Sequence, residues 1–270
     1  MKNFFKDFGL GLKTYGKAFE LLFTKGFWWF LLFPVLLNIL MFFGGYALID
    51  SLTEFTQNWL TEIISLKNAD FYGAEILRTT LSGFIWLVFK VLFFFIFAYF
   101  GGYIVIILMS PIFAVLSEKT EKVLTGNSYP FDADQLMRDI VRGVLLAMRN
   151  LMIETGFMIV VFFLSFIPLI GQIAAIILFF ISCYFYGFSF IDYTNERRRL
   201  TLKQSVTFMR QNKGMAIGNG LIFSLFMLIP YCGYTLAGFA AILSVIAATI
   251  AVHEKVDLSK NPYAKNKQID

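Results

Sequence analysis

The sequence predicts an all-α integral membrane protein, with an amphipathic helix at the amino terminus, two long transmembrane helices, and two Pro/Gly-broken helical hairpins. Three observations lead there. The first is composition: 58% of the 270 residues are hydrophobic, 34 are Phe and only 15% are charged, whereas a soluble domain carries about 25% charged residues. The second is run length. At about 1.5 Å per residue, 27–49 reaches roughly 35 Å, against a hydrocarbon core of roughly 30 Å. The third is a pair of matching interruptions, Ile167-Pro168-Leu169-Ile170-Gly171 and Ile229-Pro230-Tyr231-Cys232-Gly233. Proline removes a helical donor and glycine permits a reversal, so each is a turn. No charge lies between Thr155 and Ile191 or between Gly214 and Val252. Both turns are therefore expected within or at the edge of a bilayer, a pattern that points to a transporter-like fold.

The elements follow in order. The first long apolar run is too long for the core of a secretory signal and lacks a small-x-small cleavage pattern, so no cleavable leader is expected. Ahead of it, Phe4, Phe5, Phe8, Leu12, Tyr15, Phe19 and Leu22 fall on one helical stripe, with Lys6, Lys13 and Lys17 between them. That pattern suits a helix lying in the membrane interface, or alternatively one packing on the water-exposed side. Crossings are expected at 27–49 and 81–116. The second is over-long, roughly 54 Å at about 1.5 Å per residue, and must tilt, kink near Gly101-Gly102 or Pro111, or project into the cytoplasm. A helix over 131–151 has Asp132 as its N-cap and Met137, Ile140, Val141, Val144, Leu145, Met148 and Leu151 as an apolar stripe. Arg138, Asp139, Arg142 and Arg149 then mark its wet side. The first limbs of the hairpins, 157–167 and 215–229, are short, roughly 17 and 22 Å, and are expected to turn back within the membrane. Full-span hairpins remain open, because the return limbs 173–191 and 234–252 are long enough to cross. Residues 1–256 read as one membrane domain and 257–270 as a mobile basic tail.

Charge sets sidedness. Lys and Arg number five in 1–29, five in 117–150, six in 192–213 and four in 253–270. Between residues 50 and 78, Lys67 and Arg78 are outnumbered by Asp50, Glu54, Glu62, Asp70 and Glu75. Cytoplasmic loops carry the Lys/Arg excess, so this acidic loop is expected outside and both termini inside.

Ionisable residues in the apolar parts have ordinary readings. Lys90 can snorkel to headgroups, His253 beside Glu254 reads as an interfacial surface histidine, and Cys183 and Cys232 read as buried free thiols. Arg197-Arg198-Arg199 reads as an anchor to anionic lipid, with anion gathering as a secondary role. There is no metal-spaced cluster, no phosphate-cradling Gly-Lys loop and no serine–histidine arrangement, so neither a metal, a cofactor nor an enzyme activity is expected. Basic residues form short collars around apolar segments, which does not suit nucleic acid.

Several patches resemble the CysZ-type sulfate permeases, a superfamily that includes the eukaryotic etoposide-induced protein group. Ser110-Pro111-Ile112-Phe113-Ala114-Val115-Leu116-Ser117-Glu118-Lys119-Thr120-Glu121-Lys122-Val123-Leu124-Thr125-Gly126 is similar to its Pro-Phe-Asn-x-Leu-Leu-Ala-Glu-x-x-Glu-x-x-Leu-x-Gly signature. Phe33-Pro34-Val35-Leu36-Leu37-Asn38 resembles Leu-Pro-Leu-Leu-x-Asn in the first membrane helix. Phe166-Ile167-Pro168-Leu169-Ile170-Gly171-Gln172 resembles the Phe-Ile-Pro-x-x-Gly-Gln turn, Ile191-Asp192-Tyr193 resembles Asp-Tyr-Pro, and Ile229-Pro230 the second turn.

The resemblance implies a homo-oligomer in the bacterial inner membrane that passes sulfate, independently of sodium, for sulfur assimilation. It places substrate at a Pro-Gly-Leu-Arg-Arg-like turn, here Lys25-Gly26-Phe27-Trp28-Trp29, with the glycine and backbone amides kept and both arginines replaced by tryptophan. It also implies a charged network near the pore entrance, which carries over to Glu118, with Glu121 and Lys122 beside it; a surface Glu118–Lys122 pair is the plainer reading. Phe113 stands where the signature has Asn, and Thr194 where it has Pro. The candidate anion path then runs from Lys25 and the Gly26–Phe27 amides past Asn38 and Glu118 to the turns at Pro168, Gly171, Gln172, Pro230 and Gly233. The alternative is a membrane interaction or organising protein that keeps the fold without conducting.

Overall fold

The computed structural model describes residues 2–63, 73–126, 132–229 and 233–256. Pro230, Tyr231, Cys232 and the tail 257–270 lie outside the described residues. Among those described, the regular structure is nine α-helices and one 3-10 segment, with no strand. In order they are α1 Lys2–Thr24, the 3-10 segment Phe27–Leu31, α2 Leu32–Ile63, α3 Ala74–Leu108, α4 Ser110–Thr125, α5 Ala133–Leu164, α6 Ile170–Arg197, α7 Leu202–Gln211, α8 Lys213–Met227 and α9 Gly233–Lys255. Among the described residues, five helices are long and apolar enough to cross a membrane, or six if the bent pair at the end of α3 and α4 counts as one span. The protein is a multi-pass membrane protein. Two compact units divide the chain, one of Met1–Pro34 with Gly102–Asp270 and one of Val35–Gly101.

The Val35–Gly101 unit is an antiparallel pair built from most of α2 and α3. Gly45 lets the Phe93 ring approach so closely that a Cβ there would lie 2.8 Å from it, and Gln57 Nε2 donates to Ser82 Oγ at 2.5 Å. Outward stand Leu40, Phe42, Phe43, Phe55, Phe84 and Phe95, all exposed. Such a continuous apolar surface suits lipid, where it meets a matching solvent. Asp50 and Glu54 lie on the last turns of α2 and Glu75 on the first turn of α3, so the acidic segment expected as a loop is largely helix. Lys90 is exposed on α3, its Nζ 4.4 Å from the centre of the Trp86 ring one turn earlier.

In the other unit, α9 occupies the centre, packed by α1, α4, α6 and α8. It bears no charge before His253 and is rich in small residues, and Ala237, Ala241, Val245, Ala248 and Val252 are fully buried. A helix that is apolar on all sides belongs in the interior. α8 makes the closest packings, because it carries small residues on two faces. Gly214 and Gly218 meet the α1 backbone at Phe4 and Phe8, while Ala216 and Gly220 meet α6 at Gly187 and Cys183. Such small-xxx-small spacing lets helix backbones approach. The face α1 turns inward is Asp7, Gly11, Thr14, Ala18 and Leu22, leaving Phe5, Phe19 and Phe23 exposed. Tyr15 hydroxyl bridges the Asn219 carbonyl at 2.5 Å and Ser244 Oγ at 2.7 Å, and burial pushes its pKa up, keeping it protonated. The amphipathic amino-terminal helix thus packs one face against α8 and α9 and leaves Phe5, Phe19 and Phe23 exposed alongside Lys6, Lys13 and Lys17.

Three expectations are corrected. The helix over 131–151 does not end before the first hairpin: no proline lies between Asp132 and Ser165, so α5 runs through both and its limb is not short. At about 1.5 Å per residue it is roughly 48 Å long. Only the second hairpin keeps a short first limb, α8, of 15 residues. Second, α5 is oriented differently in part: Arg138 is exposed as expected, but the rest of the pattern is not. Met137, Val141, Leu145 and Met148 of its apolar stripe are exposed, while Arg142 is largely buried and Asp139 half-buried. Third, His253 is not a surface residue: its side chain is 11% exposed, with Nε2 3.9 Å from Glu121 Oε1. The over-long second crossing bends by 64° between Phe100–Leu108 and Ser110–Thr125, where Pro111 cannot continue the ladder.

Candidate functional site

The residues that could meet a polar solute converge where α4, the start of α5 and the end of α6 come together. Each element is placed by its own termini. Pro111 lies at the start of α4, and Gly126, at φ 76°, closes it in the left-handed conformation that glycine accepts most readily. Asp132 caps α5, its carboxylate accepting from the amides of Asp134 at 2.9 Å and Gln135 at 3.1 Å. α6 ends with Arg199 at φ 55°, and Thr201 then opens α7 with a reciprocal cap to Gln204.

These elements enclose a cavity of about 470 Å³. α4 supplies Glu118 and Lys119 to its wall, α5 supplies Asp132, Gln135 and Asp139, and the α6 end supplies Glu196, Arg197 and Arg199. Behind it lies a buried polar network. Arg197 donates through Nε to Glu121 and through Nη2 to Ser117 Oγ at 2.5 Å. Ser117 also pairs with Thr249 of α9 at 2.8 Å, and Thr194 donates to the same hydroxyl at 3.2 Å. Arg142 makes a forked contact with Asp192, Nε to Oδ2 at 2.9 Å and Nη2 to Oδ1 at 3.0 Å. Its Nη1 lies 2.5 Å from Glu196 Oε2 and also reaches the Leu200 carbonyl. Farther along the α5–α6 seam, Asn150 donates to Ser189 Oγ at 3.1 Å, and Glu154 accepts from Tyr103 hydroxyl at 2.5 Å and from Ser182. A buried carboxylate in a membrane helix is costly and persists only with such partners.

The sequence-chosen residues divide between this site and other places. Glu118 lines the cavity, Glu121 lies behind it in the buried network, and Lys122 is exposed with no ion pair to Glu118 among the described residues. Gly26, at φ 73°, opens the 3-10 segment; Lys25, Trp28 and Trp29 are exposed and Phe27 is buried. The two indoles stack with ring centres 5.6 Å apart. Asn38 is half-buried on α2 in the other unit. Pro168 lies in the α5–α6 turn with Phe166 and Leu169 strongly exposed beside it, as a turn meeting lipid would be. A Cβ on Gly171 would lie 2.7 Å from Ser165 Cα, so glycine allows the tight reversal; Gln172 is exposed. Gly233 is buried, its amide donating to the Ile229 carbonyl at 2.8 Å.

Sequence reasoning missed Asp139, Arg142, Asn150, Glu154, Asp192 and Glu196. The signal was present: Asp139, Arg142, Asn150 and Glu154 share one face of α5, as do Ser182, Ser189, Asp192 and Glu196 on α6. It also took Arg197 and Arg198 as a lipid anchor, whereas Arg197 is held by Glu121 and Arg198 is 9% exposed and donates to Asn195.

The sequence pattern of the family described as sulfate transporter CysZ/etoposide-induced protein 2.4 matches residues 14–236. The chain belongs to that family. Among its relatives, a protein of Vibrio cholerae named sulfate transporter CysZ is 24% identical over 225 residues, covering 82% of this chain and 85% of its own. One of the same name from Vibrio parahaemolyticus is 24% identical over 204 residues, covering 74% and 78%. A third, from Pseudomonas fluorescens, is 30% identical over 126 residues, covering 46% and 51%. The family match takes in α2 to α8 entirely, and so the cavity, the Arg142 cluster, both turns and all of the Arg197 network except Thr249 and His253 on α9.

Proposed function

We propose that this CysZ-family protein is an anion permease that carries sulfate, or a related oxyanion, across the cytoplasmic membrane for sulfur assimilation. In this reading the chain works as a homo-oligomer with both termini in the cytoplasm, and needs no cofactor and performs no catalysis. The observation that carries it is the cavity at the α4–α5–α6 junction, continued by a buried polar seam between two membrane helices. Apolar packing alone would seal such helices more cheaply, since buried charge costs free energy unless it is paired. Glu118 belongs to the cavity wall and Glu121 to the network behind it, while Lys25 offers an exposed cation beside the Gly26 turn. The names of the Vibrio and Pseudomonas relatives support sulfate as the solute.

A second reading has its own observation. Trp28 and Trp29 stand stacked and exposed at the turn where the family pattern has guanidinium groups. An indole cannot grip an oxyanion with two parallel donors, but it suits an interface anchor, so a non-conducting organiser of the same fold would keep it.

Flux separates the two. Proteoliposomes holding the purified protein are expected to take up labelled sulfate faster than protein-free vesicles, and Lys25→Ala to slow uptake. Uptake no faster than in protein-free vesicles, with sulfate, thiosulfate and phosphate alike, would reject transport in favour of the organiser.

A further inference from the structure

We propose that a second copy of this chain packs on the α2–α3 pair, along the flank that carries Asp50 and Lys90, so that Asp50 of each copy meets the partner's Lys90. The proposal rests on the homo-oligomer reading above and names its surface; which solute is carried does not enter it.

Two contacts set the register of the pair. Gly45 of α2 lies against the Phe93 ring and Gln57 bonds Ser82, so α2 and α3 run antiparallel. Between these points Asp50 is level with Val88 and Phe89, within about 3 Å of Lys90 along the axis. Rotation brings them to the same place. Thr53 of α2 and Ile85 of α3 are buried and Ile49 and Phe89 half-buried, which marks the facing sides. Asp50 and Lys90 each follow an inward position by one residue. A step of about 100° in two antiparallel helices turns both to the same flank. Both are exposed, and neither makes an ion pair with a described residue.

Their depth gives the two charges weight. No charge lies in residues 26–49 or 91–117, so Asp50 and Lys90 each end an uncharged stretch, at one level. A charge there is poorly hydrated and is stabilised by an opposite charge. Lys90 Nζ is turned over Trp86, on its own flank. That flank carries Gly83, Trp86 and Lys90 on α3, and on α2 Tyr46, Asp50 and, a turn nearer water, Glu54. Gly83 is exposed, and a Cβ there would meet nothing in this chain within 4 Å. Glycine weakens an exposed helix, and its use here fits a backbone approached closely from outside the chain.

A two-fold axis along the membrane normal completes the match. It sets α2 opposite the partner's α3 and keeps every residue at its depth. Asp50 then meets the partner's Lys90, and Lys90 the partner's Asp50, two equal pairs in one self-complementary surface. An axis in the membrane plane would set α2 against a second α2, which carries Asp50, Glu54 and Glu62 but no Lys or Arg. Charge complementarity thus selects a second copy in the same orientation.

The test is association of two differently tagged full-length copies, co-expressed and purified together in mild detergent. Unaltered copies are expected to co-purify. Lys90→Asp in both copies, or Asp50→Lys in both, should lower the co-purified fraction about tenfold or more, since like charges then face each other. A Lys90→Asp copy expressed with an Asp50→Lys copy should associate again, because both pairs are then opposite between chains. Charges that pair only inside one hairpin cannot be rescued in this way, and the rescue also shows that both variants fold. Gly83→Leu should weaken association while the melting temperature holds or rises, since the Cβ position is open within the chain. If unaltered copies associate but the swaps change nothing, or the mixture does no better than either swap alone, this surface is overturned and the homo-oligomer stands. Unaltered copies that do not co-purify, and that photobleach in single steps in vesicles, overturn both. Labelled sulfate flux tests the permease separately.

Discussion

Arg142 shows how much of this protein rests on single polar side chains. Its guanidinium touches Asp192 through two donors, sits against Glu196, and reaches the carbonyl of Leu200 just before α7. It therefore joins α5 to α6 and to the turn that positions Arg199. The pair is nearly out of solvent, with side-chain exposures of 14% and 4%. Removing one partner from such a pair strands the other charge and costs about 3–5 kcal/mol, whereas removing both costs much less. Arg142→Met is expected to lower thermal stability in detergent by an amount in that range, and Arg142→Met with Asp192→Leu to recover most of it. Two single variants that simply add in the double would show that the residues do not act as a pair. In sequence, Arg142 looked like one more surface arginine in a charged stretch. Its role depends on Asp192, fifty residues away, and no local pattern connects them.

At the scale of the element, α8 is the clearest case of sequence dictating geometry. It is one of the shortest helices and carries little side-chain volume, yet it packs against α1, α6 and α9. Gly220 lies so near the Cys183 carbonyl that any Cβ would overlap it, and Gly187 stands in the same relation to Ala216. An added methyl must push two helix backbones apart, at a cost of about 1–3 kcal/mol. Gly220→Ala should therefore lower the melting temperature clearly. Gly9→Ala on α1, with nothing within 4 Å of the new atom, should be neutral or stabilising, because alanine favours helix. Equal melting temperatures for the two variants would remove this account of α8. The Gly214-x-x-x-Gly218 spacing is readable in the sequence as a helix-packing face. Which helix it meets is not, since α1 precedes it by some two hundred residues.

For the whole molecule the decisive question is which surface meets lipid. In the larger unit, α5 exposes Met137, Val141, Leu145, Met148 and Met152 and turns Arg142, Asn150 and Glu154 inward. A water-soluble protein would orient such a helix the opposite way. The arrangement is expected when hydrocarbon is the solvent and the polar groups must be satisfied internally. Fluorophores on cysteines at Leu145, Met148 and Met152, in a background without Cys183 and Cys232, should be quenched by brominated acyl chains in reconstituted vesicles, and one at Arg138 should not. Quenching by aqueous iodide instead would place α5 in water and restore it as a cytoplasmic helix. Ending one helix at 151 and beginning the hairpin limb at 157, the sequence reading divides this helix in two. The change there is in solvent, not in secondary structure.

By itself the amino-acid sequence determined that this protein is helical, lies in a membrane, and reverses at Pro168–Gly171. Those properties follow from short-range rules: length of apolar run, missing amide, conformational freedom of glycine. Family membership was legible for a similar reason, since its motifs are contiguous stretches such as Ser110–Gly126. Only the tertiary structure decided that α9 is central, that α5 faces outward with its apolar side, that His253 and Arg197 are interior, and that Glu118, Lys119 and Arg199 line one cavity. Each of these depends on which helix is the neighbour. A charged residue on a membrane helix can snorkel, pair or line a cavity with the same local sequence around it, and the partner that decides among these lies far along the chain.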